Sequence, residues 1–155
     1  EVRRLGNLAK IPEFDSMFWK HLGDEICDEI RVQTQVNSKD VHNKPFKEYS
    51  DGYAERKPKI RRGSGSGSKV NLTLTGDMMR NLQTRGYSKD SVIIGWSGVD
   101  AQKVQHNEEM GRAVTTTARP LSKGSLRLIE VQTNKRIKRN ADKETAKPIN
   151  FKIGK

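Results

Sequence analysis

Residues 70–82 (V-N-L-T-L-T-G-D-M-M-R-N-L) constrain the fold most, because they predict a strand that passes directly into a helix. Apolar and polar residues alternate from Val70 to Leu74, which is the period of a half-buried strand. Thr75 can accept a hydrogen bond from a free N–H of the next turn, and Asp77 suits the positive end of the helix dipole. Three residues give this helix one apolar face: Met78, Met79 and Leu82. The segment therefore predicts a fold that contains both a sheet and helices.

The size of the chain limits how much core it can build. Its 155 residues suffice for one domain, but only 32% are hydrophobic and 6% aromatic. We therefore expect a single α+β domain over residues 1–155, with its core in about 12–35 and 70–139. A flexible basic loop is predicted at 56–69, and a C-terminal arm at 140–155.

The formal net charge of +11 is unevenly distributed along the sequence. Residues 112–155 contain twelve basic and three acidic residues, and residues 56–69 contain six basic residues and no acid. Residues 13–51 instead hold nine acids and five bases. This polarity suits a polyanion or an acidic neighbouring subunit, and an ordinary solvated basic face is the alternative.

Three features bear on where the protein works. The single Cys27 excludes an internal disulfide, no apolar run approaches the ~20 residues of a membrane span, and Glu1 to Arg4 are not followed by a signal-peptide core. We therefore expect a cytoplasm-like setting and no contact with a membrane.

Periodicity predicts the other elements. Helix-type spacing over Pro12 to about Gln33 predicts a long N-terminal helix capped by Asp15 or Ser16, with Gly23 as a weak point. Residues 36–49 lack a period and predict a loop, and residues 50–57 predict a brief helix that ends before Pro58.

The tract at 63–68 (G-S-G-S-G-S) is either an introduced linker or a natural mobile loop with a basic tip. Further along, a helix of roughly ten residues should lie between the strand at 70–74 and a second strand at 92–96, with a turn between Gly86 and Asp90. A helix is predicted over 100–110, extended chain over 114–118 and an edge strand at 149–153. A basic helix is predicted within 125–140, with a strand through Leu126–Val131 as the alternative.

Several phrases in this order resemble the virion-morphogenesis or tail-completion proteins of tailed bacteriophages. They are N-K-P-F-K-E-Y-S-D-G-Y-A at 43–54, L-T-L-T-G-D-M at 72–78, I-I-G-W at 93–96, V-Q-H-N-E-E-M-G at 104–111 and A-R-P at 118–120. Leu121 stands where that family usually has an aromatic residue, and the tyrosine usual before the helix is missing. The resemblance runs from residue 43 to 121.

The resemblance implies a structural protein of the phage neck or tail end, located in the virion after assembly in the host cytoplasm. It implies a homo-oligomeric ring that joins the head connector to the tail tube or tail terminator, and it allows transient contact with packaged DNA. The segregated charge would let subunits pack head to tail and close such a ring. The expected interface residues are Lys59, Arg61, Arg62, Lys69, His106, Gly111, Arg119 and Pro120.

The sequence contains no pattern of residues that is typical of a catalytic site. His106, Glu108 and Glu109 lack the i, i+4 spacing of helical metal ligands, and the acids around Cys27 would raise its thiol pKa, the wrong direction for a nucleophile. We therefore expect no enzyme activity, metal or cofactor.

Nucleic-acid binding is the rival function. The residues that could follow a phosphate backbone are Lys123, Arg127, Lys135, Arg136, Lys138 and Arg139. The segment lacks interleaved aromatic residues and any zinc, homeodomain or RNA-stacking signature, so a solvated or subunit-facing helix is equally consistent with it.

Overall fold

A computed structural model gives the fold of residues 14–60 and 69–145, which are the residues that the structure describes. Within them the chain forms five α-helices and one two-stranded antiparallel sheet, so the predicted α+β class is confirmed. The elements are α1 Ser16–Arg31, α2 Asp51–Ile60, α3 Asp77–Asn81, β1 Gln83–Tyr87, β2 Val92–Gly95, α4 Gly98–Glu109 and α5 Lys123–Thr145. None of the described helices is long and apolar enough to cross a membrane.

Helix α1 is the centre of the fold, and its predicted cap is confirmed. The Asp15 side chain accepts a hydrogen bond from the Phe18 N–H at 2.7 Å, so the helix begins at Ser16 and not near Pro12, which lies outside the described residues. Leu22, Ile26 and Ile30 recur every four residues and are all buried. The helix continues as a π-helical turn, Val32–Val36, which is longer than the sequence predicts.

The hairpin β1–β2 packs against α1. The strand at Val92–Gly95 agrees with the prediction, and the turn closes through a hydrogen bond from the Ser88 N–H to the Ser91 carbonyl at 2.8 Å. The predicted helix of roughly ten residues is wrong. Its place is taken by the five-residue α3 and then by β1, which pairs with β2 through an irregular register between Thr84 and Gly86.

The predicted strand over Val70–Leu74 is also wrong, because this segment pairs with no other strand among the described residues. Leu72 has a φ of 50°, which interrupts an extended chain, and its N–H donates to the Tyr49 hydroxyl at 3.1 Å. The segment is an irregular connection that leads into α3. Thr75 does accept the Asp77 N–H, at 3.3 Å, but Gly76 and not Thr75 occupies the N-cap position of α3.

The core lies between α1, α3, α4 and the chain that follows α4. Its buried cluster consists of Leu22, Ile26, Cys27, Ile30, Met78, Met79, Leu82, Val104 and Val114. Phe18, Trp19 and Trp96 pack against it while partly buried. The apolar face predicted for Met78, Met79 and Leu82 is therefore confirmed.

Other predicted boundaries move. Helix α2 runs through Pro58 to Ile60, so residues 56–60 of the predicted basic loop are helical, and residues 61–68 lie outside the described part. Helix α5 reaches Thr145, so the first residues of the predicted C-terminal arm are helical, while the predicted strand at 149–153 lies outside it. Helix α4 lies within two residues of the prediction, but Ser97 and not Asp100 is its N-cap, and residues 114–118 bend instead of running extended.

Candidate functional site

Three separate stretches of the chain meet around one cleft of about 540 Å³. The loop before α2 and its first turn contribute one wall, the segment before α3 a second, and α4 with the residues after it a third. The lining residues are Tyr49, Ser50, Tyr53, Leu72, Leu74, Thr75, Gly76, Met78, Lys103, Asn107, Met110 and Arg112. The cleft therefore has mainly apolar walls, two basic residues and no carboxylate in its lining.

Tyr49 organises one wall of the cleft. Its ring centroid lies 4.8 Å from Lys57 Nζ and 4.9 Å from Arg112 Cζ, and the Tyr53 ring packs edge-on at 4.8 Å. Burial raises the pKa of the Tyr49 hydroxyl, which favours the neutral form that receives the Leu72 N–H. The two cations thus stack on a neutral aromatic ring.

Lys57 is fully buried beside Tyr49. Its ammonium donates to the Asn71 side-chain oxygen at 2.6 Å and to the Lys69 carbonyl at 3.4 Å. Burial lowers the Lys57 pKa, because the charged form loses water. These contacts join α2 to the segment that begins at Lys69.

Arg112 is the second buried cation, with only 7% of its surface exposed. Its guanidinium donates to the Lys47 carbonyl at 2.8 Å, the Glu48 carbonyl at 2.7 Å and the Met110 sulfur at 3.6 Å. No carboxylate of the described residues lies within 4.0 Å of its nitrogens. In the sequence, Arg112 stands out only as one of the twelve basic residues of 112–155, and no local pattern predicts its burial.

Four of the predicted interface residues lie in the later part of the chain, and no hydrogen bond or ion pair among the described residues links them to one another. His106 projects from α4 into solvent, with its Nδ1 3.6 Å from Glu109 Oε2. Gly111 ends the turn after α4 with a φ of 77°, a conformation that suits glycine. Arg119 reaches the ring of His42 at 3.5 Å, and Pro120 is exposed beside it.

The predicted basic loop is described only at its ends. Lys59 is exposed on α2, and Lys69 is exposed while its ammonium donates to the Val36 carbonyl at 2.6 Å. Arg61 and Arg62 lie outside the described residues, as does the tract at 63–68. The role predicted for this loop stays a prediction.

Helix α5 carries the predicted nucleic-acid contacts, and most of them face solvent. The exposed ones, which we call the α5 cations, are Lys123, Arg127, Lys135, Lys138 and Arg139. Arg136 is partly buried and forms an ion pair with Asp15 at the start of α1. The Phe18 N–H, together with Arg136, holds the pKa of Asp15 below its usual value. A groove of about 490 Å³ separates α1 from α5 at this point.

Two kinds of chemistry can be examined among the described residues, metal binding and thiol reactivity. They contain no group of three His, Cys, Asp or Glu side chains that could hold a metal ion. Cys27 is buried, and desolvation raises its pKa to about 11, so its thiol is neutral at ordinary pH.

Comparisons of the chain with protein-family models, with curated proteins and with solved structures give no match.

Proposed function

We propose that this protein is a structural virion protein of a tailed bacteriophage, a neck or tail-completion ring subunit that joins the head connector to the tail tube. In this role it acts through protein–protein contacts and not through catalysis. Its partners are further copies of itself, the head connector and the tail-tube or tail-terminator protein, and its location is the virion.

The observation that carries this proposal is the convergence of three of the family-like phrases. Tyr49 and Tyr53 belong to the phrase at 43–54, and Leu72 and Leu74 belong to the phrase at 72–78. Met110 belongs to the phrase at 104–111, and residues from all three line the same cleft. Phrases that are far apart in sequence but share one surface are expected when that surface has a common task.

The distribution of charge supports an assembly role as well. Part of the complementarity between the acidic and basic segments is used within the subunit, because Arg136 forms an ion pair with Asp15. The α5 cations remain exposed after this pairing. They are available to an acidic face of a neighbouring subunit.

Light scattering tests the proposal directly. The mass of the 155-residue chain would be measured alone and with the head-connector or tail-tube protein of the same phage genome. We expect a closed oligomer, or one that forms only on the partner. A chain that stays monomeric with both partners contradicts the proposal.

A nucleic-acid-binding module is the second candidate, because the α5 cations lie exposed along one helix. Binding through them would depend steeply on salt, since each neutralised phosphate adds about 0.9 to the slope of log K against log salt. Tight DNA binding of a monomer that disappears at moderate salt favours this candidate. Oligomers that persist when DNA binding is absent favour the ring subunit.

A further inference from the structure

We propose that the cleft is a docking site for an extended peptide segment of a partner subunit, which inserts an apolar side chain and presents a carboxylate to Arg112. The inference rests on the proposed assembly function and names the chemistry of the partner. Three independent features of the cleft carry it: its apolar volume, its uncompensated charge and its unpaired backbone.

The volume and walls of the cleft suit an apolar group. About 540 Å³ lies between the rings of Tyr49 and Tyr53, the aliphatic side chains of Leu72 and Leu74, and the sulfur of Met110. Sites of this size with mostly apolar walls and a few polar groups are typical of binding pockets. An aromatic or branched side chain that enters the cleft would be removed from contact with water.

The positively charged residues that line the cleft favour an anionic ligand. Arg112 is buried, and its known acceptors are two carbonyl oxygens and one sulfur. A guanidinium has five N–H donors, so two remain without an acceptor among the described residues. Lys103 also lines the cleft, although it already pairs with Asp100 at 2.7 Å. A carboxylate would receive two parallel N–H groups from Arg112, which is the strongest pairing this side chain makes.

The backbone of the second wall favours a peptide over a free small molecule. The N–H and C=O of Leu74 and the C=O of Leu72 make no hydrogen bond with any described residue. The segment has the apolar–polar alternation of a strand but no strand beside it. A peptide laid along this wall would form single hydrogen bonds with these groups and place an apolar side chain in the cleft, although the left-handed φ of Leu72 prevents a continuous strand ladder.

Peptide titration of the full chain tests the inference. The probe is acetyl-Val-Phe-Glu-Val-amide, and its matched neutral analogue replaces glutamate by glutamine. Binding is followed through amide chemical shifts in NMR spectra up to about 5 mM peptide, since short ligands bind weakly. We expect shifts at Leu72, Leu74 and Arg112, and about fivefold tighter binding of the glutamate peptide.

Substitutions at Met110 provide the sharpest control, because its sulfur lies against Arg112 and the residue is 38% exposed. Met110→Glu supplies an internal carboxylate and should abolish the preference for the glutamate peptide, whereas Met110→Gln should retain it. Val99→Glu adds the same charge at an exposed position outside the cleft and should change nothing.

Four results would overturn the inference. They are absence of binding by either peptide, equal affinity for both, retention of the preference in Met110→Glu, and binding of free 3-phenylpropionate as tight as that of the glutamate peptide. The last result would assign the cleft to small carboxylates.

The proposed function is tested separately by light scattering. Partner-dependent oligomers that form without any peptide binding would contradict only the assignment of the cleft as a peptide site. Peptide binding by a chain that never assembles would contradict only the proposed function as a ring subunit.

Discussion

Gly23 shows how one residue sets the distance between two elements. A Cβ placed there would lie 2.6 Å from Val92 Cγ2 and 2.7 Å from Thr84 Oγ1, both on the hairpin. In sequence, Gly23 looks like a defect of about 1 kcal/mol relative to alanine in the middle of a helix. In the fold, the missing methyl group lets the hairpin lie directly on α1.

We expect Gly23→Ala to lower the free energy of unfolding by about 1–2 kcal/mol, because an overpacking cost of about 1–3 kcal/mol exceeds the gain in helix propensity. Urea denaturation measures the change. Gly52→Ala is the matched control, since nothing lies within 4 Å of the added methyl group, and it should raise stability by about 0.5 kcal/mol. A Gly23→Ala protein as stable as the parent would contradict the packing argument.

Ionisation of the Cys27 thiol makes the free energy of unfolding depend on pH in the alkaline range. Burial raises its pKa from 9.0 to about 11, so the native state keeps a proton that the unfolded chain releases. The stabilising contribution is therefore complete below pH 9 and is lost as the pH rises toward 11, by about 2 kcal/mol at that point. Denaturation curves between pH 8 and 11 should fall more steeply for the parent than for Cys27→Ala. Parallel curves would show that the thiol does not titrate in this way.

At the scale of elements, the start of α5 is tied to α1 by a buried polar cluster. Ser125 Oγ donates to Glu29 Oε2 at 2.5 Å, Ser122 Oγ lies 3.3 Å from Glu29 Oε1, and the Ser125 N–H donates to Ser122 Oγ at 3.1 Å. Both serines are buried, so their hydroxyl groups depend on this carboxylate.

We expect Glu29→Ala to cost about 1–3 kcal/mol of unfolding free energy, because it leaves buried hydroxyl groups poorly paired. Hydrogen exchange should speed up at the first turn of α5 before the rest of the helix. Glu25→Ala is the control, as Glu25 joins the same two helices through Gln132 but at an exposed position, and it should cost under about 0.5 kcal/mol. Equal losses in both variants would show that the cluster has no special role.

The elements differ in how far the sequence predicts them. Helix α1 follows from periodicity and its Asp15 cap, and helix α4 forms within two residues of its predicted position although its predicted cap is wrong, since each helix hydrogen-bonds within itself. The strand predicted at Val70–Leu74 fails because a strand needs a partner, and alternation over five residues cannot reveal one. Strand β1 (Q-T-R-G-Y) has no apolar alternation, and it forms because β2 pairs with it and α1 lies beneath both.

At the scale of the whole molecule, the sequence does not predict that the residues lining the cleft lie together. The phrases carrying Tyr49, Leu74 and Met110 are visible in the sequence, but their meeting depends on three loops of irregular backbone. The burial of Lys57 and Arg112 has no local signal, because charged residues are normally exposed. The exposure of the α5 cations, in contrast, follows from helix periodicity once α5 packs on α1.

The whole-molecule question is whether the α5 cations meet protein or nucleic acid, and two variants of equal net charge can decide it. Lys135→Gln/Lys138→Gln changes α5, Lys44→Gln/Lys89→Gln changes exposed loops, and each lowers the net charge from +11 to +9. We expect the α5 variant to weaken partner association about three- to tenfold at low salt and to make the remaining association less sensitive to salt, because charges at an interface act through position. The loop variant should match the parent in light scattering. If α5 faces DNA instead, assembly would be unchanged in both variants, and the salt slope of DNA binding would fall by about 2 only in the α5 variant.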